Sequence, residues 1–184
     1  MKYLTTILSI LIPVVLALCG YLYTYFSGKK QEQRKNRLER INRQLDDFYG
    51  PLLAIVQSSQ QAWENFIRKY DDNPDFYKQE HNPSPEQVAE FHNWMKTVFL
   101  PNNEKLHEII VNNTSLLIED KMPKILLDLM AHIMEFRINF EARKDKHAEV
   151  AESRSKYRGQ PLLKYCEKRF KELKTEQLEL IKGR

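Results

Sequence analysis

Residues 38–55, LERINRQLDDFYGPLLAI, decide how the chain is read. Their apolar positions are Leu38, Ile41, Leu45, Phe48, Leu52 and Ile55, alternately three and four residues apart. That is the period of a helix presenting one stripe, a heptad seam, and its register carries on through Ser59, Ala62 and Phe66. Gly50-Pro51 interrupts it. Pro51 has no N–H and its ring meets the preceding turn, so a kink is expected there. Because the phase survives the proline, the spacing predicts one kinked, continuous helix. Glycine is rare, 5 residues in all, and no segment alternates with period two for the length of a strand. The chain is expected to be all-α.

Ahead of this helix, Tyr3–Phe26 contains no charged residue. As a helix it spans roughly 36 Å, enough for a bilayer core of about 30 Å. A permanent transmembrane helix is the reading preferred over two processed forms. A cleaved signal peptide has a shorter apolar core. A lipoprotein signal wants a small residue before the cysteine, but Leu18 precedes Cys19, and Tyr21–Phe26 prolongs the apolar run. Tyr3 at one end and Tyr21, Tyr23 and Tyr25 at the other sit where interfacial aromatics are expected. Directly after the span come Lys29, Lys30, Arg34, Lys35, Arg37, Arg40 and Arg43, opposed only by Glu32 and Glu39. Positive charge stays inside, which predicts a single pass through a bacterial inner membrane, N-terminus outside and C-terminal domain cytoplasmic.

Leu45-Asp46-Asp47-Phe48-Tyr49-Gly50-Pro51-Leu52, soon after an N-terminal apolar stretch, resembles an L-x-x-F-Y-x-P-L segment in uncharacterised single-pass bacterial membrane proteins. The resemblance covers about the first 60 residues. It implies a bacterial origin and carries no activity.

Further along, residues 71–85 are a loop by their Pro and Asn/Asp content. Ser84, Pro85 and Gln87 predict an N-cap, a first-turn proline and a capping box. The following helix buries Val88, Phe91, Trp94 or Met95, and Val98, and Pro101 ends it or starts the next, which carries Leu106, Ile109 and Ile110. Pro123 opens the most apolar helix, with Ile125, Leu126, Leu129, Met130, Ile133, Met134 and Phe140 facing a core and Arg137 in need of a partner or an exposed end. This is the expected central helix. A turn around Gly159-Gln160 then leads, at Pro161, into a last helix bearing Leu163, Cys166, Phe170, Leu173 and Leu180. The expected architecture is a transmembrane anchor (1–28) and a cytoplasmic four- or five-helix bundle (29–184). The bundle divides into a basic juxtamembrane, kinked heptad helix (29–70), the loop (71–85) and the remaining helices (86–184).

Chemistry-bearing patterns are few. Glu104 and His107 form one E-x-x-H on a helix, and Asp128, His132 and Glu135 share a face of another. Di-iron bundles use two such pairs and two further carboxylates, and there is no second E-x-x-H, so no metal is expected. No nucleophile elbow, phosphate loop or zinc-protease motif is present, and no cofactor or catalytic residue is expected. Cys166 lies in apolar phase as a core thiol. Trp63, Phe66, Tyr70, Phe91 and Trp94 read as core packing. The net charge of +4 is concentrated just after the apolar stretch, since residues 44–184 carry 21 Lys+Arg against 23 Asp+Glu. This is no nucleic-acid footprint. Lys29, Lys30, Arg34, Lys35 and Arg37 are instead expected at lipid headgroups. The function expected is a membrane-anchored interaction or scaffold protein. It self-associates through Leu38, Ile41, Leu45, Phe48, Leu52 and Ile55 or holds a membrane-associated protein partner. The alternative is a stress or phage-defence effector whose clustered anchors permeabilise the bilayer.

Overall fold

The computed structural model describes residues 2–73, 82–142 and 159–183, with the backbone alone described for residues 2–10, 12, 13 and 142. Among the described residues the chain is all-helical. α1 (Lys2–Arg43) passes through a π-helical segment (Gln44–Tyr49) into α2 (Gly50–Ile67) without a break. α3 (Pro85–Trp94) passes through a second π segment (Met95–Phe99) into α4 (Leu100–Asn112). α5 (Lys124–Ala142) and α6 (Gly159–Lys182) complete four rods.

Both π segments stand directly before a proline. Gly50 N–H bonds back five residues to Leu45 O ahead of Pro51, and Leu100 N–H does the same to Met95 O ahead of Pro101. A wider turn gives each ring room and takes up the lost hydrogen bond, so neither proline ends its helix. Pro51 therefore marks an irregularity in a continuous helix, as its surviving phase predicts. Pro101 neither ends one helix nor starts another. The capping box at Ser84 forms as expected: Ser84 Oγ accepts from Gln87 N–H at 3.3 Å, and Gln87 Oε1 accepts from Ser84 N–H at 2.7 Å.

The rods run up, down, up and down. Asn102 Nδ2 reaches Ser59 Oγ at 3.0 Å while Gln44 Nε2 reaches Leu116 O at 2.9 Å, so α4 returns antiparallel along α2. Arg137 on α5, expected to need a partner or an exposed end, lies 3.7 Å from Glu104 on α4 with its side chain half exposed. α6 returns along the first rod, from Gln57–Glu167 at one end to Arg37–Glu176 at the other. The main core joins Ile41, Leu45, Phe48, Tyr49 and Leu52 to Ile110, Leu126, Leu129, Ile133, Leu162, Cys166 and Leu173. A second, aromatic cluster around Phe66, Phe91 and Met95 closes the far end, with Trp63, Tyr70, Trp94, Phe99, Phe136 and Phe140 packed on it.

Several expectations change. The central element is the first rod, since Ile41, Phe48, Tyr49 and Leu52 are fully buried. α5 buries Leu126, Leu129 and Ile133 but exposes Met134 and Ile138. α6 begins at Gly159, two residues before Pro161, which a first turn tolerates because its N–H groups are unbonded anyway. Of the expected loop, residues 74–81 lie outside the described residues, as do residues 143–158. The transmembrane helix expected over Tyr3–Phe26 is not recovered: among the described residues, no helix is long and apolar enough to cross a membrane. The described apolar side chains there are Leu11 and those from Val14 to Phe26, and from Lys29 the same helix is densely charged.

Candidate functional site

The first rod projects beyond the bundle. Leu16, Leu18, Tyr21, Tyr23, Tyr25 and Phe26 are all more than half exposed. Of the five cations expected at lipid, Lys29, Lys30 and Lys35 are exposed. The other two are engaged with α6. Arg37 makes a two-pronged ion pair with Glu176, at 2.6 and 2.9 Å, and the guanidinium pKa is raised by that hydrogen bond. Arg34 donates to the carbonyl oxygens of Leu180 and Ile181, the latter at 3.2 Å. The last carbonyls of a helix have no partner within it and carry its negative end, so a guanidinium is a fitting cap.

Deeper in, one carboxylate ties three elements together. Glu119 lies in the connection between α4 and α5. It accepts from Tyr49 Oη at 3.2 Å and Tyr165 Oη at 3.2 Å, and meets Arg169 Nη2 at 2.6 Å. Tyr49 Oη accepts in turn from Ile118 N–H at 3.1 Å. Arg169 reaches Glu172 at 2.7 Å and lies 5.7 Å from the centre of the Tyr165 ring. Burial raises the pKa of both tyrosines, and hydrogen bonds to the carboxylates help keep Arg169 charged. Tyr49, Tyr165 and Arg169 thus keep their protons around neutrality, and the cluster ties the α4–α5 connection to the first rod and to α6.

Beside the latch is a cleft of about 370 Å³ lined by Arg37, Arg40, Gln44, Leu117, Ile118 and Glu172 among others. Gln44, 2% exposed, donates to Leu116 O, and its Oε1 is buried without a hydrogen-bond partner. The lining mixes cations, carboxylates and apolar groups, which selects for no single ligand charge.

The seam residues are placed inside the chain's own core. Ile41, Leu45, Phe48 and Leu52 are buried there, Ile55 packs on it, and Leu38 is half-buried. The apolar surface of that seam is covered within the chain by the other rods. Cys166 is buried in the same core, which pushes its thiol up to about 12. Glu104 faces Arg137, and among the described residues no group of three or more His, Cys, Asp or Glu is placed to hold a metal. The latch residues Tyr49, Glu119, Tyr165 and Arg169 escaped sequence reading because they meet only across three elements. No family model, curated protein or solved structure matches the chain.

Proposed function

We propose that the chain is a membrane-anchored helical interaction protein, fixed by Tyr3–Phe26 and displaying its bundle at the cytoplasmic face of a bacterial inner membrane. The observation that carries this reading is the continuity of the first rod. One helix runs from an uncharged stretch with exposed apolar side chains, past exposed Lys29, Lys30 and Lys35, into the centre of the bundle core. An apolar face left in water is costly, whereas in lipid it is stable, and lysines at its base suit anionic headgroups. With the seam occupied internally, the bundle presents its outer surface to a membrane-associated protein partner. The latch and the Arg34 and Arg37 clamps make it a stiff strut. The test is extraction of native membranes with alkaline carbonate. Full-length protein is expected in the pellet, and a chain lacking residues 1–28 in the supernatant. Release of the full-length protein would overturn the anchor.

A further inference from the structure

We infer that the cleft beside the latch binds an N-acylated, apolar amino-acid carboxylate, the group found at the carboxyl end of a polypeptide, with Arg40 on the carboxylate and Gln44 on the adjacent N–H. The inference rests on the proposed function in one respect, a protein partner for the bundle, and names the part of that partner which is recognised.

The lining as a whole carries both charges, but most of that charge is already paired within the chain. Arg37 and Glu176 hold one another through two hydrogen bonds. Glu172 accepts from Arg169 at 2.7 Å. Two groups are left over. Arg40 is exposed and, among the described residues, makes no ion pair. Gln44 is 2% exposed and still lines the cleft, which places it at the floor. Its Nε2 is committed to Leu116 O at 2.9 Å, and its Oε1 is buried without a hydrogen-bond partner. A buried acceptor without a donor is rare and costly. A ligand therefore gains most here by bringing one N–H and one negative charge.

The spacing matches that demand. Arg40 and Gln44 stand four residues apart on the first rod and share one face. At the end of a peptide, N–H and carboxylate flank a single Cα, and the long, exposed Arg40 side chain can close over the carboxylate. Leu117 and Ile118 from the α4–α5 connection and Leu173 from α6 supply an apolar wall for the last side chain. At about 370 Å³ the cleft is near the lower end of ligand sites, a size for about one or two residues. Gln44 lies 18 residues beyond Phe26, about 27 Å along a helix, well past the headgroups of an anchored chain, so a lipid headgroup is not the ligand.

Full-length protein in detergent is titrated with fluorescein-labelled hexapeptides ending in valine, leucine or phenylalanine, read by fluorescence anisotropy. Each is made as the free acid, as the terminal amide, and as an ester in which oxygen replaces the last N–H. The free acid is expected to bind tightest, with amide and ester each about tenfold weaker. Arg40→Gln, at an exposed site, should bind acid and amide alike. Gln44→Leu, checked for folding by its melting curve, should bind the acid and its ester alike. N-acetyl-leucine is the competitor. Displacement at the peptide's own concentration assigns the cleft to a free acylated amino acid, and displacement only at higher concentration assigns it to a polypeptide end; either supports the inference. No binding by any of the three acids at millimolar concentration overturns it. So does an acid bound no better than its amide, or a preference for acid that survives Arg40→Gln. Protein that resists carbonate extraction but binds no peptide loses the cleft and keeps the anchor, and protein that binds peptide but is extracted keeps the cleft and loses the anchor.

Discussion

A methyl group at position 50 would run into the Leu45 carbonyl oxygen, which already accepts the Gly50 N–H across the π turn. Glycine is needed there because the wide turn brings that carbonyl under the Cα. Gly50→Ala is expected to cost about 1–3 kcal/mol, the usual penalty for forcing atoms into packed space, read from a denaturant midpoint. Gly28→Ala, with nothing within 4 Å, is expected to leave that midpoint unchanged or slightly raised. His132 supplies a second prediction at this scale. Burial lowers its pKa, against an opposing pull from Glu135, so the folded chain favours neutral imidazole. The unfolded chain therefore binds more protons once pH falls below about 6.5, and stability held above that value is lost toward the lower folded pKa. Midpoints between pH 7.5 and 5.5 should fall with pH, and His132→Gln should flatten that slope.

At the scale of elements, the clamps and the latch do different work. Arg34 and Arg37 act on the exposed end of α6, where solvent screens charge and single pairs are worth little. Arg34→Ala is thus expected to move the global midpoint by under about 1 kcal/mol while amides in the last turn of α6 exchange faster with deuterium. Unchanged exchange there would remove Arg34 as the cap. Glu119 is mostly covered, with two tyrosines and Arg169 depending on it. Glu119→Ala takes an acceptor from both tyrosines and one of the two carboxylates of Arg169, and should cost about 2 kcal/mol in a denaturant midpoint. The prolines behind the π segments are plain in the sequence, but the remedy is not. A π turn places residues five apart on one face, which is how Gln44 joins Tyr49 inside the core although a heptad reading leaves both out.

For the molecule as a whole, the question is what the heptad seam holds together. Leu45 is 6% exposed in the chain's own core, so Leu45→Lys buries a charge without a partner and is expected to destabilise the bundle by at least about 3 kcal/mol. Leu38→Lys, at the half-buried end of the same seam, should cost about 1 kcal/mol or less. Were the seam an interface between copies, both lysines would lower the oligomeric state in size-exclusion chromatography with light scattering while the monomer kept its melting temperature. Loss of folding at 45 alone supports the internal core.

Much was determined locally and could be read locally. Helical period, the Ser84 capping box, the apolar phase of Cys166 and the uncharged stretch before a basic run all depend on residues within a few turns of one another. What the tertiary structure alone decided depends on distant pairs. It chose the chain's own α4, α5 and α6 as cover for the seam, because one amphipathic stripe is equally satisfied by an internal or a foreign partner. It moved the centre of the core from α5 to the first rod, since burial follows the number of neighbours and not the apolar content of a segment. It spent Arg34 and Arg37 on the end of α6, a choice invisible in a run of like charges until the return path of the last helix is known.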